Sequence, residues 1–254
     1  MIDQFTMFSL YFANLMTVVL PVFIIVYGLM KKHFEVTRLL LGMFIFLVIN
    51  LFVLSPLLNL LAVVLEGNAL LAQPSFTIPF SILIITLVNV YGKNFSFRYL
   101  LQDFRSFKQV ISIAIGMGTS EVLLSSGMMM FSNLNYAIKI NNGTIYDILS
   151  VTDAEAIINN AMSALPDAIL YYALSAIAII LINVVLSFIL VNARLIKEKR
   201  LLIIGLSMLI IFNVIIYLLP MYGQFMLSGI FSLIFALLAM YFAKLKGFFI
   251  FDLK

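Results

Sequence analysis

Seven long apolar stretches constrain what this chain can fold into more than any other feature. Crossing about 30 Å of hydrocarbon takes roughly 20 apolar residues as a helix, and stretches of that length run over about 5–30, 39–65, 78–101, 109–131, 165–192, 201–220 and 224–243. The expectation is an all-α, polytopic bundle of about seven spanning helices, a single transmembrane domain over 1–254 in the cell membrane. Met1 to Met30 lacks a basic leader and a small-residue cleavage site, so it reads as a retained helix and not a signal peptide.

Charge gives the orientation. Cytoplasmic loops carry the Lys and Arg excess, and alternate loops hold Lys31, Lys32 and Arg38, then Arg105 and Lys108, then Arg194, Lys197, Lys199 and Arg200, then Lys244, Lys246 and Lys254 of the tail. These are 12 of the 15 basic residues. The expectation is an N-terminus outside and a C-terminus in the cytoplasm. Basic residues dispersed between apolar segments in this way form no soluble face for nucleic acid. Cysteine is absent, which removes thiolate chemistry and disulfides.

Between the fourth and fifth spans the segment from Ser132 to Ala164 is the longest polar one, and Thr152 with Glu155 matches a capping box for a short helix starting near Asp153. Ser55-Pro56 predicts a kink or break near the outer end of the second helix. The four residues after Pro220 force the last two spans into an antiparallel hairpin. Gly116, Gly118, Ser120, Gly127, Gly205, Gly229 and Ser232 are small residues at which helices can approach closely.

Glu121, within GMGTSEVLLSSG, is the chemical anomaly of the chain, because an ionisable residue inside a span is costly and calls for a partner. Taking the ~1.5 Å rise per residue from the basic ends near Leu101 and Gln109, Glu121 lies roughly 18 Å deep, Asn89 is level with it, and Lys93 is roughly 6 Å nearer the cytoplasm. The short connection between the third and fourth helices makes them expected neighbours, with Lys93 as the partner of Glu121. Two readings follow. One is a structural ion pair that fixes helix docking. The other is a buried polar site formed by Asn89, Lys93, Gly116, Gly118, Thr119, Ser120 and Glu121, in which Glu121 is the residual catalytic candidate.

Several motifs resemble a known family. LPVFIIVYGLMKKHF in the first helix, LVNVYGKNFSFRYLL in the third, IGMGTSEVLL in the fourth and the following INNGT resemble the YhfC-type membrane proteins, which are regarded as glutamic intramembrane proteases related to the CAAX-processing and bacteriocin-processing peptidases. The resemblance spans about Leu20 to Thr144. In the third helix Gly92, Lys93, Phe97, Arg98, Tyr99, Leu100 and Leu101 fit, but Asn89 and Val90 stand where the family pattern has a glutamate pair. In the fourth, Gly116, Gly118 and Glu121 fit, with Met117 in the place of a histidine. A later family histidine has no counterpart, because the single histidine, His33, falls in a loop; Tyr171 and Tyr172 occupy its region.

Peptide hydrolysis at a glutamic site needs a carboxylate to activate water and donors for the oxyanion. One glutamate remains here, and a zinc site would need several converging Cys, His or carboxylate ligands. The resemblance therefore implies a diverged, proteolytically inactive member without metal or other cofactor. Such a protein would act as a binding or accessory subunit in contact with membrane lipid and with a hydrophobic peptide, helix or second membrane protein. The alternatives are a residual peptidase with Glu121 as base and Asn89 as oxyanion donor, and a small-molecule or peptide permease or immunity protein lined by Glu121 and Lys93.

Overall fold

The computed structural model describes residues 1–66, 73–99, 106–147 and 150–249. Arg105 and Lys254 of the charge count, and Leu100 and Leu101 of the third-helix motif, lie outside the described residues. Among the described residues seven helices are long and apolar enough to span a membrane: α1 (Gln4–Met30), α2 (Val36–Val64), α3 (Phe76–Tyr99), α4 (Phe107–Asn141), α6 (Pro166–Leu195), α7 (Lys199–Met221) and α8 (Phe225–Leu245). A short helix, α5 (Val151–Ser163), lies between α4 and α6. No strand occurs among the described residues, so the chain is an all-α, multi-pass membrane protein.

α6 is the hub. Most of its apolar core is buried, from Ile180 through Val191, and it packs against α8, α4, α1, α7 and α3. A helix apolar on every side is what a bundle centre requires. α4 is the second buried helix and packs between α6 and α2. The α2–α4 crossing depends on two glycines. A Cβ on Gly116 would lie 2.2 Å from the Leu39 carbonyl oxygen, and one on Gly42 would lie 2.2 Å from that of Ile113, so the two backbones touch where only glycine fits.

α3 is not the neighbour of α4 that the short connection suggested. It packs on α7, α6 and the middle of α2, while α4 packs on α2 and α6. The reason is α6: it buries most of its circumference, packs against both helices, and is placed between them.

α4 also continues to Asn141, ten residues beyond the expected end near 131. At 35 residues it is about 50 Å long, so the polar SNLNYAIKIN run extends as helix past the apolar layer. There Asn141 Oδ1 accepts a hydrogen bond from the Ile2 amide at 2.7 Å, which brings the N-terminus to this end of the bundle. α5 starts two residues before the expected Asp153, with Ser150 as its cap: the Ser150 hydroxyl accepts from the Asp153 amide at 3.2 Å and donates to its carboxylate at 2.6 Å. The opposite end gathers the basic loops. Ser112 Oγ accepts from the Glu35 amide, Arg194 donates to the Phe97 carbonyl, and Asn192 donates to the Phe248 carbonyl. Assigning that end to the cytoplasm is our proposal from the positive-inside count.

Three spans contain a π-helical turn: Leu15–Val19 in α1, Val48–Leu54 in α2 and Leu123–Gly127 in α4. The first two lie just before Pro21 and Pro56. The widened turn lets the helix pass a residue without an N–H, so α2 runs on through Ser55-Pro56 without the expected break. Side chains take up carbonyls around these turns: Thr17 donates to Ala13, Asn50 to Phe46, Ser125 to Glu121 and Ser126 to Val122. The turn in α4 has no proline and begins two residues after Glu121.

Candidate functional site

The centre of the bundle holds a polar chain running across three helices. Lys93 Nζ of α3 donates to Asn183 Oδ1 of α6 at 2.5 Å, and Asn183 Nδ2 donates to Glu121 Oε2 of α4 at 2.9 Å. The same amide also reaches the Ile179 carbonyl of its own helix at 2.9 Å. The ammonium and the carboxylate are thus joined through a carboxamide and not face to face. Lys93 is 2% exposed, and its charge interacts with that of Glu121. Glu121 is half-buried and lies within electrostatic reach of Tyr217 on α7.

The seven residues expected to share a site divide into three groups. Lys93 and Glu121 come together by way of Asn183. Gly118 makes that contact possible, because a Cβ there would lie 3.1 Å from Ile180 Cα and 3.2 Å from Asn183 Cβ; residues 118 and 121 share the face that α4 presents to α6. The others point elsewhere. Gly116 serves the α2 crossing, and Ser120, buried and one turn further on, lies on that same side. Thr119 donates to the Ile115 carbonyl at 2.7 Å and Asn89 to that of Ile85 at 3.0 Å, so both side chains bond within their own helices.

Asn183 is the residue that sequence reasoning missed. It lies 12 residues before the last residue of α6, Leu195, as Glu121 lies 12 residues beyond Gln109. The depth count applied to α3 and α4 would have placed it level with Glu121, roughly 18 Å in. A second polar link also went unread: Asn213 Nδ2 of α7 donates to Thr86 Oγ1 of α3 at 2.9 Å, two turns along α3 from Lys93. Nearby, the Tyr171 hydroxyl donates to the Ile216 carbonyl at 2.9 Å.

The positions at which the resemblance would put further acids and a histidine are core. Val90 and Met117 are fully buried among apolar side chains. Among the described residues no three His, Cys, Asp or Glu side chains converge on a point. His33 lies in the loop between α1 and α2.

No curated protein and no solved structure matches the chain. The sequence profile of the YhfC intramembrane metalloprotease family matches residues 16–239, a range that takes in all of α2 to α7 with Lys93, Glu121 and Asn183, and the chain belongs to that family.

Proposed function

We propose that this chain is a non-hydrolytic member of the family, a binding or accessory membrane subunit that holds a hydrophobic peptide, helix or lipid. The observation that carries the reading is the Lys93–Asn183–Glu121 chain. A general base turns its carboxylate toward water, whereas one oxygen of Glu121 is held by an amide that is itself fixed by a buried ammonium. An arrangement of this kind holds a charge in place and ties three helices together.

The family's description names a metal, and the donor set here does not fit one. A catalytic zinc site takes about three His, Cys or carboxylate ligands. Glu121 is the one carboxylate at its depth among the described residues, its hydrogen-bond partner is a donating amide, and the cation of Lys93 stands behind the amide. A divalent cation would meet repulsion from Lys93 where it needs further anionic ligands.

Crosslinking tests the binding role. Leu124 is exposed one turn beyond Glu121, and a photoreactive residue placed there should give a discrete adduct in membranes that weakens in Glu121→Gln. A monomer that gives no adduct counts against the proposal. The half-buried setting of Glu121 favours a residual peptidase as the second reading. In that case Glu121→Gln abolishes cleavage of a candidate substrate, and unchanged processing ends the idea. Asn89, its expected oxyanion donor, gives one of its two amide hydrogens to the Ile85 carbonyl of its own helix and keeps the other.

A further inference from the structure

We propose that a cleft at the basic end of α3, α6 and α7 binds the headgroup of an anionic phospholipid, with an acyl chain lying in the adjoining groove between α7 and α8. The cleft is about 860 Å³, within the range of small-molecule sites. Its described lining includes Arg98, Arg194, Lys197 and Lys199 against the single acid Glu198, with Asn94 as a neutral polar group. Arg194 is held by its bond to the Phe97 carbonyl, and Arg98 stacks on the Tyr99 ring 5.3 Å away. Four cations around one cavity at the end of a membrane bundle match a phosphate at headgroup depth.

The backbone supplies a second, independent attraction. α7 begins at this cleft, and its cap residue Glu198 makes no side-chain hydrogen bond to the first-turn amides. The Leu201 amide closes onto the Glu198 carbonyl, and the amides of Lys199 and Arg200 at the start of this 23-residue helix, without a side-chain cap, favour an anion.

The ligand's tail is read from the groove. Ile203 lines both the cleft and an almost wholly apolar groove of about 380 Å³. The groove runs from Ile203 to Ile211 on α7, roughly 12 Å, facing Phe235 and Phe242 of α8 with Ile189 of α6 behind. Ile203 and Ile211 are exposed on the lipid side, so an acyl chain can enter from the bilayer. A free anion would leave this groove unused, and a neutral lipid would make no use of the positive charge of the cleft. The site is separate from the Glu121 centre and does not depend on its proposed role.

Native mass spectrometry of the purified full chain, with phosphatidylglycerol and phosphatidylcholine of the same acyl length in competition, tests the assignment. The wild type should retain phosphatidylglycerol in preference by roughly tenfold. Arg98→Gln/Lys197→Gln/Lys199→Gln should lose the preference. Ile203→Trp, which fills the groove and keeps every charge, should lower retention and leave the preference intact. Lys31→Gln/Lys32→Gln, at the same end but outside the cleft, should change nothing. Circular-dichroism melting confirms that each variant is folded, and Arg98→Gln alone serves if the triple variant is not. Equal retention of both lipids by the wild type overturns the proposal, as does a preference that survives in the charge-depleted variant. Displacement of the lipid by inorganic phosphate at equal concentration also overturns it, marking a site for soluble anions.

Discussion

Glu121 and Asn183 meet at 2.9 Å across the α4–α6 interface, and the contact exists because Gly118 lets the two backbones close at that level. Asn183 can serve both neighbours because a carboxamide has a donor end and an acceptor end. Its donor end meets the carboxylate and its acceptor end meets the ammonium, a polarity that a hydroxyl or a second acid would not reproduce in one side chain.

Asn183→Leu should therefore destabilise the bundle well beyond the loss of one neutral hydrogen bond. It strands the buried Lys93 ammonium and removes a donor from Glu121, each a charge-assisted bond worth about 1.5–3 kcal/mol. Chemical unfolding in detergent, followed by circular dichroism, should show a loss of about 3 kcal/mol. A cost below about 0.5 kcal/mol would mean that water or lipid headgroups replace the amide.

Converting the whole chain to apolar or neutral groups should recover much of that loss. A complete buried ionic cluster is often no more stable than well-packed apolar residues, while a broken one is costly. Lys93→Met/Asn183→Leu/Glu121→Gln is accordingly expected to unfold closer to wild type than Asn183→Leu does, and to lose the adduct at position 124. If the triple variant is the least stable of the set, the cluster holds the fold together and its role is structural.

Gly116→Ala and Gly118→Ala should fail differently. A methyl at 116 runs into the Leu39 backbone at 2.2 Å, which cannot give, so the α2–α4 crossing is lost and little folded protein should be recovered. At 118 the contacts are 3.1 and 3.2 Å, and a small shift of α4 accommodates them at about 1–3 kcal/mol. The shift lengthens the Glu121–Asn183 bond. Gly118→Ala should then reduce the further cost of Asn183→Leu, measured as a double-mutant cycle.

Asp3 predicts a pH dependence at the start of α1. Its carboxylate accepts from the Thr6 amide at 2.9 Å and the Thr6 hydroxyl at 2.6 Å, and these bonds hold its pKa below the usual 3.8. A depressed carboxyl contributes its stabilisation above the unfolded-state value and loses it as pH falls through the folded one. Amide exchange in the first turn of α1, corrected for intrinsic rate, should be constant from neutral pH to about 4 and rise below that. In Thr6→Val this step should shrink, because the hydroxyl donor is gone.

The spans were legible because apolar length alone specifies them, and Glu121 was legible because a carboxylate stands out against apolar neighbours. What the sequence hid was adjacency. Chain order suggested that α3 lies beside α4, whereas α6 separates them and supplies Asn183 as the link. An asparagine in LINVVL carries no charge to advertise itself, and its role depends on which two helices it happens to touch. The end of α4 was hidden for a different reason: SNLNYAIKIN is too polar for hydrocarbon, yet it is a sound helix once it clears the membrane. The π-turns before Pro21 and Pro56 likewise let the helix continue where proline alone implies a break.

The proline-free π-turn after Glu121 gives the last prediction. A π-turn holds one residue more than the α-helix needs, so deleting Ser125 should restore an α-helical path and leave Met128–Asn141 in nearly the same register relative to Glu121. In the native register Asn14 Nδ2 of α1 donates to the Met130 carbonyl at 2.8 Å, and Gly127 lies against the Thr17 carbonyl of the π-turn in α1. Both pairs should survive the deletion. Asn14→Leu should then cost about 1 kcal/mol in chemical unfolding of the full-length chain and of the deletion alike. If its cost vanishes in the deletion, the outer half of α4 takes its register from the wide turn itself.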